Sequence, residues 1–231
     1  MHITVPEVPT TQIDNLAAEL DNTGFGVIPN YIKDEDLNRM QAFVASAMEQ
    51  SGNEYVHFNG PDSVNGSGLD ELAESQPFKD LIYALYERST GQKAPKQSFY
   101  QVLRCLSGST GQKNSMIFHY DSYVVTALIP IRIPEDGMAG DLLMYPNTRK
   151  VRKTYLRNAL DKVMLDNPIS QRILRTAVNT ERFSPKRIKM QPGNLYFFWG
   201  YRSIHTNEPC DADKVRATAL FHFANPHAKA N

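Results

Sequence analysis

The sequence predicts a mainly β fold, a β-sandwich or jelly roll flanked by helices, and three observations carry that expectation. Short runs rich in β-branched and aromatic residues crowd the C-terminal two-thirds of the chain. Turn clusters (SGSTG, PEDG, PGN and PCDAD) separate them, the punctuation of sheets built from short strands. The N-terminal part instead repeats its apolar residues at helical spacing. With 231 residues, the chain reads as one domain, because all-β folds reach this size around a single core. Within it, 1–95 is the helical and strand support, 97–225 the jelly-roll core and 148–186 a helical insert.

Taken in order, Ile13, Leu16, Ala17 and Leu20 set a helix over 10–21, with Gly24 just beyond it. GFGVIPNYI, residues 24–32, reads as a short buried strand. The acids of DED at 34–36 favour the positive end of a helix running to 50, with Leu37, Met40, Phe43, Val44 and Met48 on one face. NGPDSVNGSGL, residues 59–69, has the composition of a loop and of a mobile lid. A further amphipathic helix spans 78–90 and stops before Gly91. Strands follow at 97–106, 116–121, 123–133, 140–146, 187–191, 194–200, 203–206 and 215–224. One helical interruption divides them: Val151, Tyr155, Leu156, Ala159, Leu160, Val163 and Met164 share a helical period. Asn167-Pro168 then offers an N-cap and a first-turn proline to a second helix bearing Ile169, Ile173, Leu174, Ala177 and Val178.

The formal net charge is zero, so no field of the whole molecule draws it to nucleic acid. The charge is nevertheless segregated. Residues 149–189 hold twelve Lys/Arg against three Asp/Glu, a net +9 that the rest of the chain balances with −9. Two cysteines, Cys105 and Cys210, make no disulfide framework or zinc pattern, which fits a reducing cytosol. MHITVPEVPTTQ has no basic region followed by an apolar run, and the longest apolar stretch, near 124–131, is too short to span a bilayer. The expectation is a cytoplasmic protein, peripheral at most to the inner face of a membrane.

Chemistry enters at MIFHYDSYVV, residues 116–125. His119 and Asp121 are poor strand fillers, and Asp is rarely buried without a partner. In a strand, residues two apart share a face, so both would point to one side, with Tyr123 and Val125 continuing the row. Taken alone, such a pair is better explained by a structural histidine bonded to a nearby acid near a turn. A second histidine, His205 in WGYRSIHTNEPC, completes a two-His, one-carboxylate set of the kind that holds non-haem Fe(II) with positions left open. In VRATALFHF, Arg216, Thr218, Leu220 and His222 share a face opposite Val215, Ala217, Ala219 and Phe221. An inward Arg216 demands an anion, and a carboxylate gripped in bidentate fashion suits it best, with Thr218 adding a hydroxyl. His222 is the rival to His205. Asn207 and Gln101 are weaker candidates for the same site, each with an ordinary backbone role as the alternative. Trp199 reads as core and His57 as surface.

In this order the residues resemble the Fe(II)/2-oxoglutarate-dependent oxygenases: HxD at His119 and Asp121, the distal His205, then the RxT pair Arg216 and Thr218. The nearest likeness is to the phytanoyl-CoA-hydroxylase-like branch, over roughly residues 97–225. The resemblance implies a double-stranded β-helix, a cupin-like jelly roll, with Fe(II) held by His119, Asp121 and His205. It further implies 2-oxoglutarate bound through Arg216 and Thr218, with Asn207 and Gln101 nearby. The activity implied is a dioxygenase that consumes O2, releases succinate and CO2, and hydroxylates a substrate C–H.

The basic insert lies where that family often builds substrate-binding elements. The expected substrate is therefore anionic: a small metabolite, an acyl group on an acidic carrier protein, a CoA thioester, or a phosphorylated or acidic lipid-linked saccharide such as Kdo in lipopolysaccharide. Tyr123, Arg149 and Arg152 are its expected contacts. A solvated basic face, or docking on an anionic membrane surface, reads the same charge differently. A protein or nucleic-acid substrate for the same chemistry, and a metal-binding jelly roll without turnover, are the competing functions. Few aromatics interleave the basic residues, which argues against a nucleic-acid stacking platform.

Overall fold

A computed structural model describes residues 3–152, 154–180 and 183–227. Helix α1 (Thr10–Thr23) buries Ile13, Leu16, Ala17 and Leu20 and ends at Gly24, whose left-handed φ of 93° turns the chain into β1 (Phe25–Ile28). Helix α2 (Asp34–Gln50) opens on its three acids and buries Met40, Val44, Ala47 and Met48. Strand β2 (Val56–Asn59), a short 3₁₀ turn (Pro61–Val64), α3 (Leu69–Glu74) and α4 (Gln76–Thr90) complete the N-terminal part. Then come β3 (Tyr100–Leu106), α5 (Gly108–Lys113), β4 (Val125–Arg132) and β5 (Leu142–Tyr145). Helices α6 (Tyr155–Asp166) and α7 (Pro168–Ala177) precede β6 (Lys186–Ile188), β7 (Leu195–Phe198), β8 (Ile204–Asn207) and β9 (Arg216–Phe223). Lys153, Glu181 and Arg182 of the basic segment lie outside the described residues.

Two antiparallel sheets face each other: six strands in the order β1-β7-β4-β9-β3-β2, and three in the order β6-β5-β8. The pleat sorts the core into two layers. Leu103, Ala127, Ile129, Phe197, Ala219 and Phe221 pack outward beneath the N-terminal helices. Leu128, Tyr196 and Phe198 point inward, against Leu142, Met144 and Ile188 of the smaller sheet.

Four local expectations are corrected. Residues 116–121 form no strand; Met116 takes a left-handed φ of 58°, and only His119 bridges to His205. The 59–69 stretch is not an open lid, because Val64, Ser67 and Leu69 are fully buried and the Ser63 and Ser67 hydroxyls bond local carbonyls. SGSTG is the start of α5 rather than a turn, and β2 and α3 lie where no element is expected from the sequence. Val125 packs in the outer core rather than beside Asp121, because the bends at 122–124 break the alternation and leave Thr126 facing inward.

Candidate metal centre

β8 carries His205 between two neighbours. On one side it pairs with β5, Met144 opposite His205. On the other, the His119 and His205 amides exchange hydrogen bonds with each other's carbonyls, both at 3.0 Å. That one two-bond bridge sets the two imidazoles side by side, ring centroids 4.4 Å apart. Asp121 is placed by its amide donating to the Gly200 carbonyl at 3.0 Å. Gly200 is required there: a Cβ would stand 2.2 Å from Asp121 Oδ2 and 2.3 Å from Thr126 Oγ1.

The three ligand atoms of His119, Asp121 and His205 lie within 4.8 Å of one another. Asp121 Oδ1 is 3.5 Å from His205 Nε2 and 3.8 Å from His119 Nε2. Each imidazole donates its Nδ1 proton to a carbonyl two residues back, His119 to Ile117 at 2.9 Å and His205 to Ser203 at 3.2 Å. This fixes the tautomer that leaves both Nε2 lone pairs facing the carboxylate, the arrangement a divalent metal needs.

The other carboxylate oxygen is held from behind. Thr126 Oγ1 donates to Asp121 Oδ2 and lies 3.1 Å from His222 Nδ1, itself 3.5 Å from Oδ2. His222 therefore supports the acid rather than replacing His205. Burial alone would raise the Asp121 carboxyl, but His205 and His222 overcome it and hold it well below the usual carboxylate range. Burial opposes charge on His205 too, yet Asp121 raises its pKa. His119 faces the mouth, its side chain 41% exposed; desolvation by the surrounding side chains first, then His205, lowers its pKa to about 4. Thr126→Val should keep the fold and the ligand atoms while freeing Asp121 to rotate. Divalent-metal affinity is expected to fall about 10–100-fold by titration, the usual effect of losing a group that orients a ligand.

Arg216 and Thr218 line the same cavity, with Val102, Arg104, Leu128 and Phe198. Arg216 is 4% exposed, and Gly140, with φ of 74°, lets its backbone lie against the side chain: a Cβ there would be 2.6 Å from Arg216 Cδ. Among the described residues it has no ion pair; its Nε and the Thr218 hydroxyl are buried without a hydrogen-bond partner. Burial first, then Arg104, lowers its pKa to about 10. An unpaired buried guanidinium beside an orphaned hydroxyl is a cradle for a carboxylate. The donor set therefore fits a divalent metal, and the cradle fits an organic diacid alongside it.

Asn207 also lines the cavity, its Nδ2 bonded to Ser115 Oγ and the Glu208 carbonyl. Three other expected contacts are placed differently. Gln101 lies on the opposite face of β3, in a groove with Pro61, Tyr83 and Phe99, and neither of its side-chain amide atoms has a partner among the described residues. Strand parity turns Val102 and Arg104 inward in its stead. Arg149 is sandwiched between Tyr120 and Tyr201, at 3.7 and 4.3 Å, and donates to the Tyr201 carbonyl, Asn158 and Asp161. Arg152 grips the same Asp161 in bidentate fashion. Both are internal clamps on α6 rather than cations free for a substrate. Tyr123 stands at the rim, stacked on Tyr100 at 5.6 Å and on His222 at 5.3 Å.

Sequence reasoning missed Arg104, Thr126 and Gly200. For Arg104 the signal was present in the alternation of β3; Thr126 and Gly200 act only through contacts that cross the fold.

No protein-family model matches the chain, and neither does any curated protein. Solved structures do. The chain is similar to a prolyl hydroxylase from Trichoplax adhaerens, solved with a hypoxia-inducible-factor peptide: 15% identity, 96% of this chain and 94% of that one covered, TM-score 0.63. It is similar to the α-ketoglutarate-dependent epimerase SnoN of nogalamycin biosynthesis, at 14% identity, 94% and 85% coverage and TM-score 0.61. A 2OG-Fe(II) oxygenase-family protein from Burkholderia pseudomallei matches at 13% identity, 100% and 97% coverage and TM-score 0.58. Sheet order, facing layers and the converging His119, Asp121 and His205 thus come together on one scaffold: the chain shares the fold of these solved structures, with a His-Asp-His set built into it.

Proposed function

We propose that the protein is an Fe(II)- and 2-oxoglutarate-dependent dioxygenase that hydroxylates an unactivated C–H of an anionic small-molecule, acyl or lipid-linked saccharide substrate. The observation that carries the reading is Arg216, buried and without an acidic partner among the described residues, in the same cavity as the His-Asp-His set. His119, Asp121 and His205 would hold the metal; Arg216 and Thr218 would hold the far carboxylate of 2-oxoglutarate. Together, Fe(II) and 2-oxoglutarate supply the oxidative chemistry in which O2 is consumed, succinate and CO2 are released and a substrate C–H becomes C–OH. Leu128, Leu142 and Phe198 form the apolar walls that keep water from the reacting groups.

Within this proposal the branch is the phytanoyl-CoA-hydroxylase-like one, a reading supported by the order HxD, His, RxT. The anionic substrate draws support from Arg104 in the cavity wall and from Lys162, whose Nζ donates to Ser122 Oγ at 2.7 Å, next to Asp121 in the chain. Anaerobic addition of Fe(II) and 2-oxoglutarate should produce a visible charge-transfer band, and admitting oxygen should yield succinate. A protein that forms no band overturns the proposal.

A further inference from the structure

Helices α6 and α7 are joined to the body by polar contacts. Asn158 and Asp161 receive Arg149, and Lys162 reaches Ser122. From α7, Gln171 pairs with Phe118 as a neighbouring strand would, accepting from its amide at 3.0 Å and donating to its carbonyl at 2.8 Å. Arg175 Nε donates to the Met116 carbonyl at 2.9 Å. The helix pair is thereby tied to the segment that carries His119 and Asp121.

The opposite faces are apolar and open. On α6, Leu156, Leu160, Val163 and Met164 follow the i, i+4, i+7, i+8 stripe and are 55–71% exposed. On α7, Ile169 and Ile173 are 73% and 62% exposed. In a helix packed on its own core, such a stripe faces inward; here the polar residues do. Arg157 and Arg172 are exposed on the same helices and have no ion pair among the described residues. They belong to the +9 segment 149–189.

We propose that this face of α6 and α7 seats in the interface of an anionic lipid bilayer, with the apolar stripe among the acyl chains and the arginines at the headgroups. Charge selects this occupant. In a two-fold dimer the patch would meet its own copy, setting the exposed Arg157 and Arg172 against the same cations of the second chain. An anionic surface neutralises the same charge while the acyl boundary covers the aliphatic side chains. Among the described residues no helix is long and apolar enough to cross a membrane, so the attachment is peripheral. Because Gln171 and Lys162 tie the pair beside the metal segment, docking would set the cavity mouth near the bilayer and favour a lipid-linked substrate. That last step rests on the proposed oxygenase reading; the docking does not.

The test is flotation of the full chain with phosphatidylcholine vesicles, with and without phosphatidylglycerol. Wild type should float with the anionic vesicles, only weakly with neutral ones, and less as salt rises. Leu160→Ser with Ile173→Ser should cut binding at least about tenfold, and Arg157→Glu with Arg172→Glu should do likewise. Since all four positions are exposed, each variant should retain the wild-type thermal transition and the charge-transfer band. Absence of wild-type binding to anionic vesicles overturns the proposal. So does unchanged binding by the serine variant, or a concentration-dependent dimer in size exclusion that the serine variant abolishes. The band is read separately, so failure of the docking and failure of the oxygenase reading are distinguishable.

Discussion

Asp121→Asn is expected to abolish Fe(II)-dependent succinate formation and to lower Fe(II) affinity by at least about a thousandfold, beyond the roughly 10–100-fold typical of groups that only orient ligands. The carboxylate is the one anionic member of the three-residue set. Both Nε2 atoms converge on its Oδ1, and its Oδ2 is occupied by Thr126 and His222. The amide keeps the shape and an acceptor for the Thr126 hydroxyl, so the substitution removes charge without opening a cavity. Metal titration by calorimetry and the anaerobic charge-transfer band measure the effect, with thermal unfolding of the metal-free protein as the control. Wild-type metal affinity in this variant would exclude Asp121 as a ligand.

Arg216→Met should separate the co-substrate from the metal. Removing one partner of a buried, hydrogen-bonded charge pair costs about 2–5 kcal/mol, or roughly 30-fold to several thousandfold in affinity. The apparent Kd for 2-oxoglutarate should rise by that factor while Fe(II) affinity stays near wild type. The ligand-free protein should move the other way. Burial, aided by Arg104, lowers the Arg216 pKa from its ordinary value of 12.5 to about 10. A lowered pKa on a cation means the charged form is the one disfavoured by folding. At neutral pH, below both values, the group is still charged, so the folded state bears that cost in full. Methionine fills similar space without charge, and a gain of about 1–3 kcal/mol is expected in the absence of ligand. Adding 2-oxoglutarate should raise Tm in wild type and leave the variant unmoved. Equal loss of metal and co-substrate would instead mean that the site had collapsed.

How far the site was legible follows from the range over which each feature is decided. Arg216 and Thr218 could be placed in the cavity because strand alternation is local, and the alternation holds along β9. His119 and Asp121 converge as expected but by another route: a single bridge to His205 and a bond to Gly200 position them, not a regular strand. Parity along β3 turns Val102 and Arg104 inward and leaves Gln101, expected at the site from its place on this strand, on the other face. At Val125 it failed because bends intervene.

Charge was the least legible feature. Composition shows that residues 149–189 are basic, but not that Arg149 and Arg152 converge on Asp161. Helical periodicity likewise shows that Leu156, Leu160, Val163 and Met164 form one stripe, and a stripe of that kind is ordinarily read as core. Whether it faces in or out depends on which side finds partners, and Asn158, Asp161 and Gln171 found theirs in Arg149, Arg152 and Phe118.

The sequence by itself determined the elements with strong local period, the order of the metal-binding types and the anion anchor two residues from its hydroxyl helper. Those depend on backbone geometry repeating about every 2 or 3.6 residues. Only the tertiary structure decided which oxygen of Asp121 is free, which arginines are already satisfied and which face of α6 and α7 meets solvent. These are outcomes of contacts between residues far apart in the chain, and no local period encodes them.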